Sequence, residues 1–116
     1  MSSNSYACII ITPKSFHQIY LSPSEGPIYK QVEEYTGGHS VTVFTPDELE
    51  DKNVLIYSFT YACEHIDPLN PLATRIVKHY KGEDTMYGTV VITKPVYEDE
   101  ENTLAPLNEI LSILSQ

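Results

Sequence analysis

The chain reads Asn-Pro-Leu-Ala-Thr-Arg-Ile-Val-Lys-His-Tyr-Lys-Gly at residues 70–82 and Met-Tyr-Gly-Thr-Val-Val-Ile-Thr at residues 86–93. Asn70 and Pro71 are typical of a helix start, because asparagine caps free backbone N–H groups and proline has no N–H group to satisfy. Apolar residues then recur at helical spacing, and Gly82 predicts a left-handed C-terminal cap. The second segment is rich in β-branched residues. The pattern therefore predicts a helix over 71–81, a tight turn and a buried strand over 87–93.

Periodicity on either side of this unit predicts the remaining elements. Further strands are predicted at residues 7–12, 16–21, 40–44 and 53–61, and further helices at residues 27–36 and 104–115. Thr45 is expected to cap a short, exposed helical turn that starts with Pro46, and Pro95 is expected to end the last strand. The order β-β-α-β-β-α-β-α predicts an α+β fold, a single mixed sheet of about five strands with two to three helices packed on it.

A chain of 116 residues is expected to form one α+β domain, since this length can bury a core without disulfide or metal staples. Residues 1–5 are expected to form a disordered leader, residues 97–103 an acidic loop and residues 104–115 the final helix. No apolar run is as long as a membrane span, and the first residues lack the pattern of a signal peptide. The sequence therefore predicts a cytoplasmic protein without a membrane segment.

Acidic residues outnumber basic ones, and the formal net charge is -9 at pH 7. This balance excludes the usual kind of nucleic-acid-binding protein, because neutralising phosphates requires Lys and Arg. Two acidic clusters stand out: Asp47, Glu48, Glu50 and Asp51, and Glu98, Asp99, Glu100 and Glu101. They are interpreted either as solvated loop tips or as carboxylates that imitate the phosphates of DNA and occupy a basic groove in a partner.

A basic patch is expected on the predicted helix over 71–81, where Arg75, Lys78 and His79 share one surface. The functional interpretation is an anion site for a nucleotide or a phosphate group. The structural interpretation is that these side chains compensate the helix dipole and pair with acidic residues. The structural interpretation is the favoured one.

Signals for catalysis or metal binding are incomplete. Cys63, His65 and Asp67 are close enough in sequence to begin a metal site, but zinc needs a fuller set of ligands. Cys8 and Cys63 lie in or beside apolar runs and are predicted to be small reduced core residues, although pairing between them stays open. The glycine pair at 37–38 predicts a helix cap rather than a phosphate loop. The sequence therefore predicts no catalytic residue, no metal and no cofactor.

Three short motifs carry a family resemblance: Thr-Gly-Gly-His at residues 36–39, Asn-Pro-Leu-Ala-Thr at residues 70–74 and Gly-Thr-Val-Val at residues 88–91. Together with the valine-rich strand after the first motif, they resemble the DUF3846 group, a small domain of unknown function found mainly in phages and other viruses. The resemblance extends from Cys8 to Thr93 and implies a viral or mobile-element origin. It implies no activity.

These features together predict a small acidic viral-type protein of the host-cell cytoplasm that binds and inhibits a host protein. The contact surface would be the two acidic clusters with neighbouring tyrosines, and a nucleic-acid-handling enzyme would be the partner if the carboxylates imitate DNA. Direct contact with nucleic acid or a membrane is not expected. One alternative is a homo-oligomer that sequesters a nucleotide signal at Arg75, Lys78 and His79 and so counters host defence. The second alternative is an undetected enzyme.

Overall fold

The computed structural model describes residues 5–37, 40–59, 67–96 and 104–116 of the chain. Its strands are β1 (Ser5–Ile11), β2 (Phe16–Leu21), β3 (Val41–Val43), β4 (Leu55–Phe59) and β5 (Val90–Val96). Its α-helices are α1 (Ile28–Tyr35), α2 (Asp47–Glu50), α3 (Pro71–His79) and α4 (Ala105–Leu114). A 3-10 turn (Pro23–Glu25) precedes α1. The predicted strands and helices are confirmed, with ends that differ by a few residues.

One five-stranded sheet joins these elements, in the spatial order β2-β1-β5-β4-β3. All neighbouring strands of this sheet are antiparallel. The α+β class, the single sheet and the number of strands are therefore confirmed. The predicted mixture of parallel and antiparallel pairs is not found in the described part of the chain.

The antiparallel order follows from the path of the chain around α3. The chain leaves β4, enters α3, and then returns to the start of that helix before β5 begins. Asn70 donates its backbone N–H to the Met86 carbonyl oxygen at 2.9 Å, and Leu69 and Tyr87 form an isolated antiparallel bridge. β5 therefore starts at the end of the sheet where β4 finishes, and the two strands run in opposite directions.

Helices cover both faces of the sheet. On one face, alternate residues of β1, β4 and β5 pack with α3, α4 and Leu49 of α2. On the other face, Cys8, Ile10 and Val91 pack with Val32 of α1. Successive side chains of a strand point to opposite faces, so a strand that is buried on both faces has a continuous apolar sequence. The run from Ala7 to Ile11, in which every residue is buried, has this character.

Three expectations at the ends of elements are wrong. Pro95 does not end β5, because pairing with β4 stops at Thr93 and, among the described strands, Pro95 has only β1 as a neighbour. Proline is tolerated where one side of a strand is unpaired. The short turn over α2 is not wholly exposed, since Leu49 has no exposed surface and joins the core. Ser5, which the sequence places in a disordered leader, is the first residue of β1.

Several predictions concern residues that lie outside the described ranges. These are residues 1–4 of the leader, His39, Cys63, His65, the loop at 97–103 and its carboxylates Glu98, Asp99, Glu100 and Glu101. The acidic loop, the partner surface on it and the reduced state of Cys63 stay predictions.

Asn70 is fully buried, and its side chain joins three parts of the fold. Its Oδ1 accepts from the Ala73 N–H at 2.9 Å, which is the helix cap predicted from the sequence. Its Nδ2 donates to the Ile11 carbonyl oxygen at 2.9 Å and to the Gly88 carbonyl oxygen at 2.7 Å. The start of α3, the end of β1 and the turn before β5 are therefore held by one amide.

Asn70→Ala is expected to lower the free energy of unfolding by about 3–5 kcal/mol, because it removes the cap and leaves buried polar groups without partners. Asn70→Asp keeps the cap acceptor but cannot donate to the two carbonyl groups, so it should also destabilise the protein. Urea denaturation measures both effects. Pro71→Ala, at the exposed neighbouring position, is the matched control. A loss for Asn70→Ala that is no larger than the loss for Pro71→Ala would contradict the role of the amide.

Candidate functional site: an acidic groove

α2 is the short helix that carries the first acidic cluster. Asp47 and Glu48 lie in its first turn, where the positive end of the helix dipole stabilises acidic side chains. Leu49 anchors the helix on the core, and Asp47 and Glu48 remain exposed. The predicted cap at Thr45 is wrong, since Pro46 is the N-cap residue of α2 and no described side chain caps the helix. The Thr45 hydroxyl instead accepts from the Ile56 N–H at 2.9 Å, which ties the start of α2 to β4.

A groove of about 660 Å³ lies between α2 and the end of α3. We refer to it as the acidic groove, because Asp47, Glu48 and Asp84 line it and Lys81 is the one cation among its described lining residues. Its apolar lining consists of Val43, Phe44, Pro46, Val77 and the ring of Tyr80. Negative charge and apolar surface therefore meet in one concave region.

The end of α3 shapes this groove. Lys81 donates its N–H to the Lys78 carbonyl oxygen at 3.0 Å, and Gly82 donates its N–H to the Val77 carbonyl oxygen at 2.8 Å, the pattern of a Schellman cap. The left-handed residue is Lys81, with φ of 67°, so the prediction that Gly82 takes this conformation is wrong. Gly82 is required for space instead. A Cβ atom there would lie 2.6 Å from Val77 Cγ1 and 3.1 Å from Pro46 Cγ.

Tyr80 connects the acidic groove to α4. Its hydroxyl donates to Glu109 Oε1 at 2.6 Å. Burial raises the pKa of Tyr80 above its usual value, and the hydrogen bond to Glu109 and the negative charges of Glu109 and Glu48 raise it further. The hydroxyl is therefore protonated at neutral pH and acts as a hydrogen-bond donor rather than as a base.

The acidic cluster at 47–51 is divided between different surfaces. Asp47 and Glu48 line the acidic groove, whereas Glu50 lines a smaller pocket beside the start of β4. Asp51 is the residue at which α2 ends, and its side chain is exposed. Only the first two carboxylates of this cluster therefore share the groove.

The predicted basic residues lie on α3, but Arg75 is engaged with α4. Its Nη1 donates to the Ile113 carbonyl oxygen at 3.5 Å and to the Gln116 carbonyl oxygen at 3.4 Å. Free carbonyl groups at a helix C-terminus favour a positive side chain, so Arg75 stabilises the end of α4. Lys78 and His79 are exposed in the last turn of α3.

The thiol and carboxylate groups singled out in the sequence form no site within the described part of the chain. No group of three or more His, Cys, Asp and Glu side chains is close enough there to hold a metal ion. Cys8 is free and buried, and burial raises its pKa to about 12, so it is a neutral core thiol. The Oδ2 atom of Asp67 is buried and finds no hydrogen-bond partner among the described residues.

Comparison with known proteins does not assign the chain to a family. No family model matches the sequence, and neither a curated protein nor a solved structure matches it. The resemblance to the DUF3846 group stays a hypothesis. None of the described helices is long and apolar enough to cross a membrane.

The sequence identified two of the three carboxylates that line the acidic groove. It identified Asp47 and Glu48 as binding residues but not Asp84, Tyr80 or Phe44. Tyr80 has the pattern of a core residue, because it continues the apolar face of its helix. The predicted helix end at residues 81–82 is the one local feature of the sequence that indicates this part of the groove. Nothing in the sequence predicts that this helix end lies against α2.

Lys81→Gly is expected to raise the free energy of unfolding by about 0.5–1 kcal/mol, since glycine adopts a positive φ without the steric cost that lysine has there. Gly82→Ala is expected to lower it by about 1–3 kcal/mol, because the added Cβ overlaps with Val77. Urea unfolding of the two variants, which differ in neighbouring positions of one turn, measures both values. A gain for Gly82→Ala would show that a side chain at this position does not overlap with Val77.

Proposed function

We propose that this protein binds a basic segment of a partner protein in the acidic groove and so blocks the surface that the partner uses elsewhere. The observation that supports the proposal is the presence of Asp47, Glu48 and Asp84 around apolar walls in one groove. Exposed carboxylates by themselves often serve solubility. Carboxylates that surround an apolar groove suit a ligand that has both cationic and apolar parts.

Lysine and arginine side chains have this mixed chemistry. Their aliphatic stems can pack against Phe44 and Pro46 while the charged ends reach Asp47 or Glu48. Arginine suits the groove best, because its guanidinium group binds a carboxylate through two parallel hydrogen bonds. Lys81 lines the same groove and would repel a cation placed beside it, which favours a neutral or acidic partner residue at that point.

The resemblance to the DUF3846 group supports a host protein as the partner and the host-cell cytoplasm as the place of binding. A nucleic-acid-handling enzyme would offer a suitable basic segment, because such enzymes use Lys and Arg to neutralise phosphates. In that case the carboxylates of the acidic groove take the places of phosphate groups, and the protein inhibits the enzyme by competition.

The geometry supports the nucleotide-sequestering alternative less well. Arg75, the strongest anion-binding residue of the three, is already bonded to the end of α4. Lys78 and His79 lie in the last turn of α3, the same end of the helix that borders the acidic groove. Nearby carboxylates disfavour a phosphate group there, since like charges repel. Anion binding and an undetected enzymatic activity stay alternatives.

Two double variants with the same change of charge test the acidic groove. Asp47→Asn with Glu48→Gln neutralises the groove, and Glu50→Gln with Asp51→Asn neutralises as many carboxylates of the same helix region outside it. The probe is a fluorescein-labelled peptide that alternates arginine with apolar residues, followed by anisotropy at low and physiological salt. The groove variant should bind about tenfold more weakly and associate more slowly, whereas the control variant keeps close to the wild-type affinity.

The same proteins then serve as baits in a host lysate at low and high salt. A protein captured by the wild type and the control variant, but not by the groove variant, is the expected partner. Circular dichroism and thermal melting establish that both variants are folded. Equal peptide binding by the two double variants would show that only the overall charge matters, and the acidic groove would be rejected as the binding site.

A further inference from the structure

β2 is an edge strand with an unusually regular open side. Among the described residues its only neighbouring strand is β1, and the register between them has no bulge over the 6 residues of β2. The opposite edge strand, β3, has only 3 residues. Proteins usually protect long edges by proline, by charged residues or by bulges. The sequence of β2, Phe-His-Gln-Ile-Tyr-Leu, has no proline, lysine, aspartate or glutamate.

The hairpin register shows which backbone groups of β2 point to its open side. Thr12 donates its N–H to the carbonyl oxygen of Ser15, directly opposite, at 2.8 Å, so this pair is hydrogen-bonded. Hydrogen-bonded and non-hydrogen-bonded pairs alternate along an antiparallel ladder. Phe16, Gln18 and Tyr20 therefore direct their N–H and C=O groups away from β1, toward the open edge.

We propose that two copies of this chain pair through their β2 strands, with a two-fold axis at Gln18, and form one continuous sheet. In this antiparallel register Gln18 of one copy faces Gln18 of the other, and Phe16 of each copy faces Tyr20 of the other. Every residue whose backbone points outward then meets another such residue. All the outward N–H and C=O groups of these three positions are satisfied, and the symmetry repeats each contact.

The side chains of this register also complement one another. Phe16 and Tyr20 form an aromatic cross-strand pair on each side of the axis, and such pairs stabilise neighbouring strands. Tyr20 is 59% exposed in the single chain, more than the other exposed large apolar residues of the described ranges. On the other face of the sheet, His17 of one copy faces Ile19 of the second.

The lack of acidic side chains on β2 favours this edge as the contact between two copies of the chain. Two chains with a net charge of -9 repel each other, and an uncharged strand is the kind of surface through which they can still approach. The dimer also leaves the acidic groove open, because the groove includes the end of β3, at the opposite edge of the sheet from β2. The pairing is therefore independent of the proposed function and does not compete with it.

Gln18→Pro and Gln18→Ala form a matched test of the pairing. Gln18 directs its N–H outward, so proline removes no hydrogen bond to β1 but blocks the central bond of the dimer, whereas alanine keeps the N–H. In sedimentation velocity from micromolar to millimolar concentration, the wild type and Gln18→Ala should be dimers and Gln18→Pro a monomer. The dimer should strengthen with added salt, which screens the repulsion between copies. A monomeric wild type, or a Gln18→Pro variant that dimerises equally well, would overturn the proposal.

A cross-linking test addresses the register and remains informative if Gln18→Pro fails to fold. Opposite residues of a hydrogen-bonded pair have Cα atoms about 5.5 Å apart, a separation that a disulfide spans. With Cys63→Ser in both proteins, Gln18→Cys should therefore form a covalent dimer under mild oxidation. Tyr20→Cys should not, because the two introduced thiols lie on opposite sides of the axis. Cross-linking of Tyr20→Cys but not of Gln18→Cys would reject the register.

Discussion

The rest of the structure depends on the buried amide of Asn70, which must donate and accept hydrogen bonds at the same time. It caps α3 through its oxygen and binds the carbonyl groups of Ile11 and Gly88 through its nitrogen. A carboxylate could only accept, and a lysine could only donate. The amide fixes where α3 begins relative to the sheet. Because a helix is stiff, it also fixes where α3 ends, and that end borders the acidic groove.

Features that depend on a few neighbouring residues could be predicted from the sequence. The cap at Asn70, the strand at 16–21 and the apolar face of α4 are of this kind. Features that depend on residues far apart in the sequence could not be predicted in this way. Pro95 continues β5 because β4 begins only at Leu55, opposite Thr93. Lys81 rather than Gly82 is left-handed, and Gly82 instead fits a narrow space beside Val77 and Pro46. Local preference is overruled in such places by contacts that only the folded chain makes.

The acidic groove illustrates the same limit for function. A cluster of carboxylates in the sequence looks like one surface, but successive residues of a helix point in different directions. The buried Leu49 orients α2, which places Asp47 and Glu48 on the groove and Glu50 beside another pocket. Asp84 joins the first two because the chain turns back after α3. A charge count therefore identifies an acidic protein, whereas the tertiary fold decides which charges act together.

The position of β5 has a consequence for how the protein is made. β1 pairs with β2, and β3 pairs with β4, so each half of the sheet is local in sequence. Among the described strands, β5 alone joins the two halves of the sheet: it lies between β1 and β4 and is synthesised after both. Ile9 of β1 pairs with Ile92 of β5, and pairing between residues so far apart in the sequence slows folding. Until β5 is made, β1 and β4 cannot form the hydrogen bonds that they share with it in the folded protein.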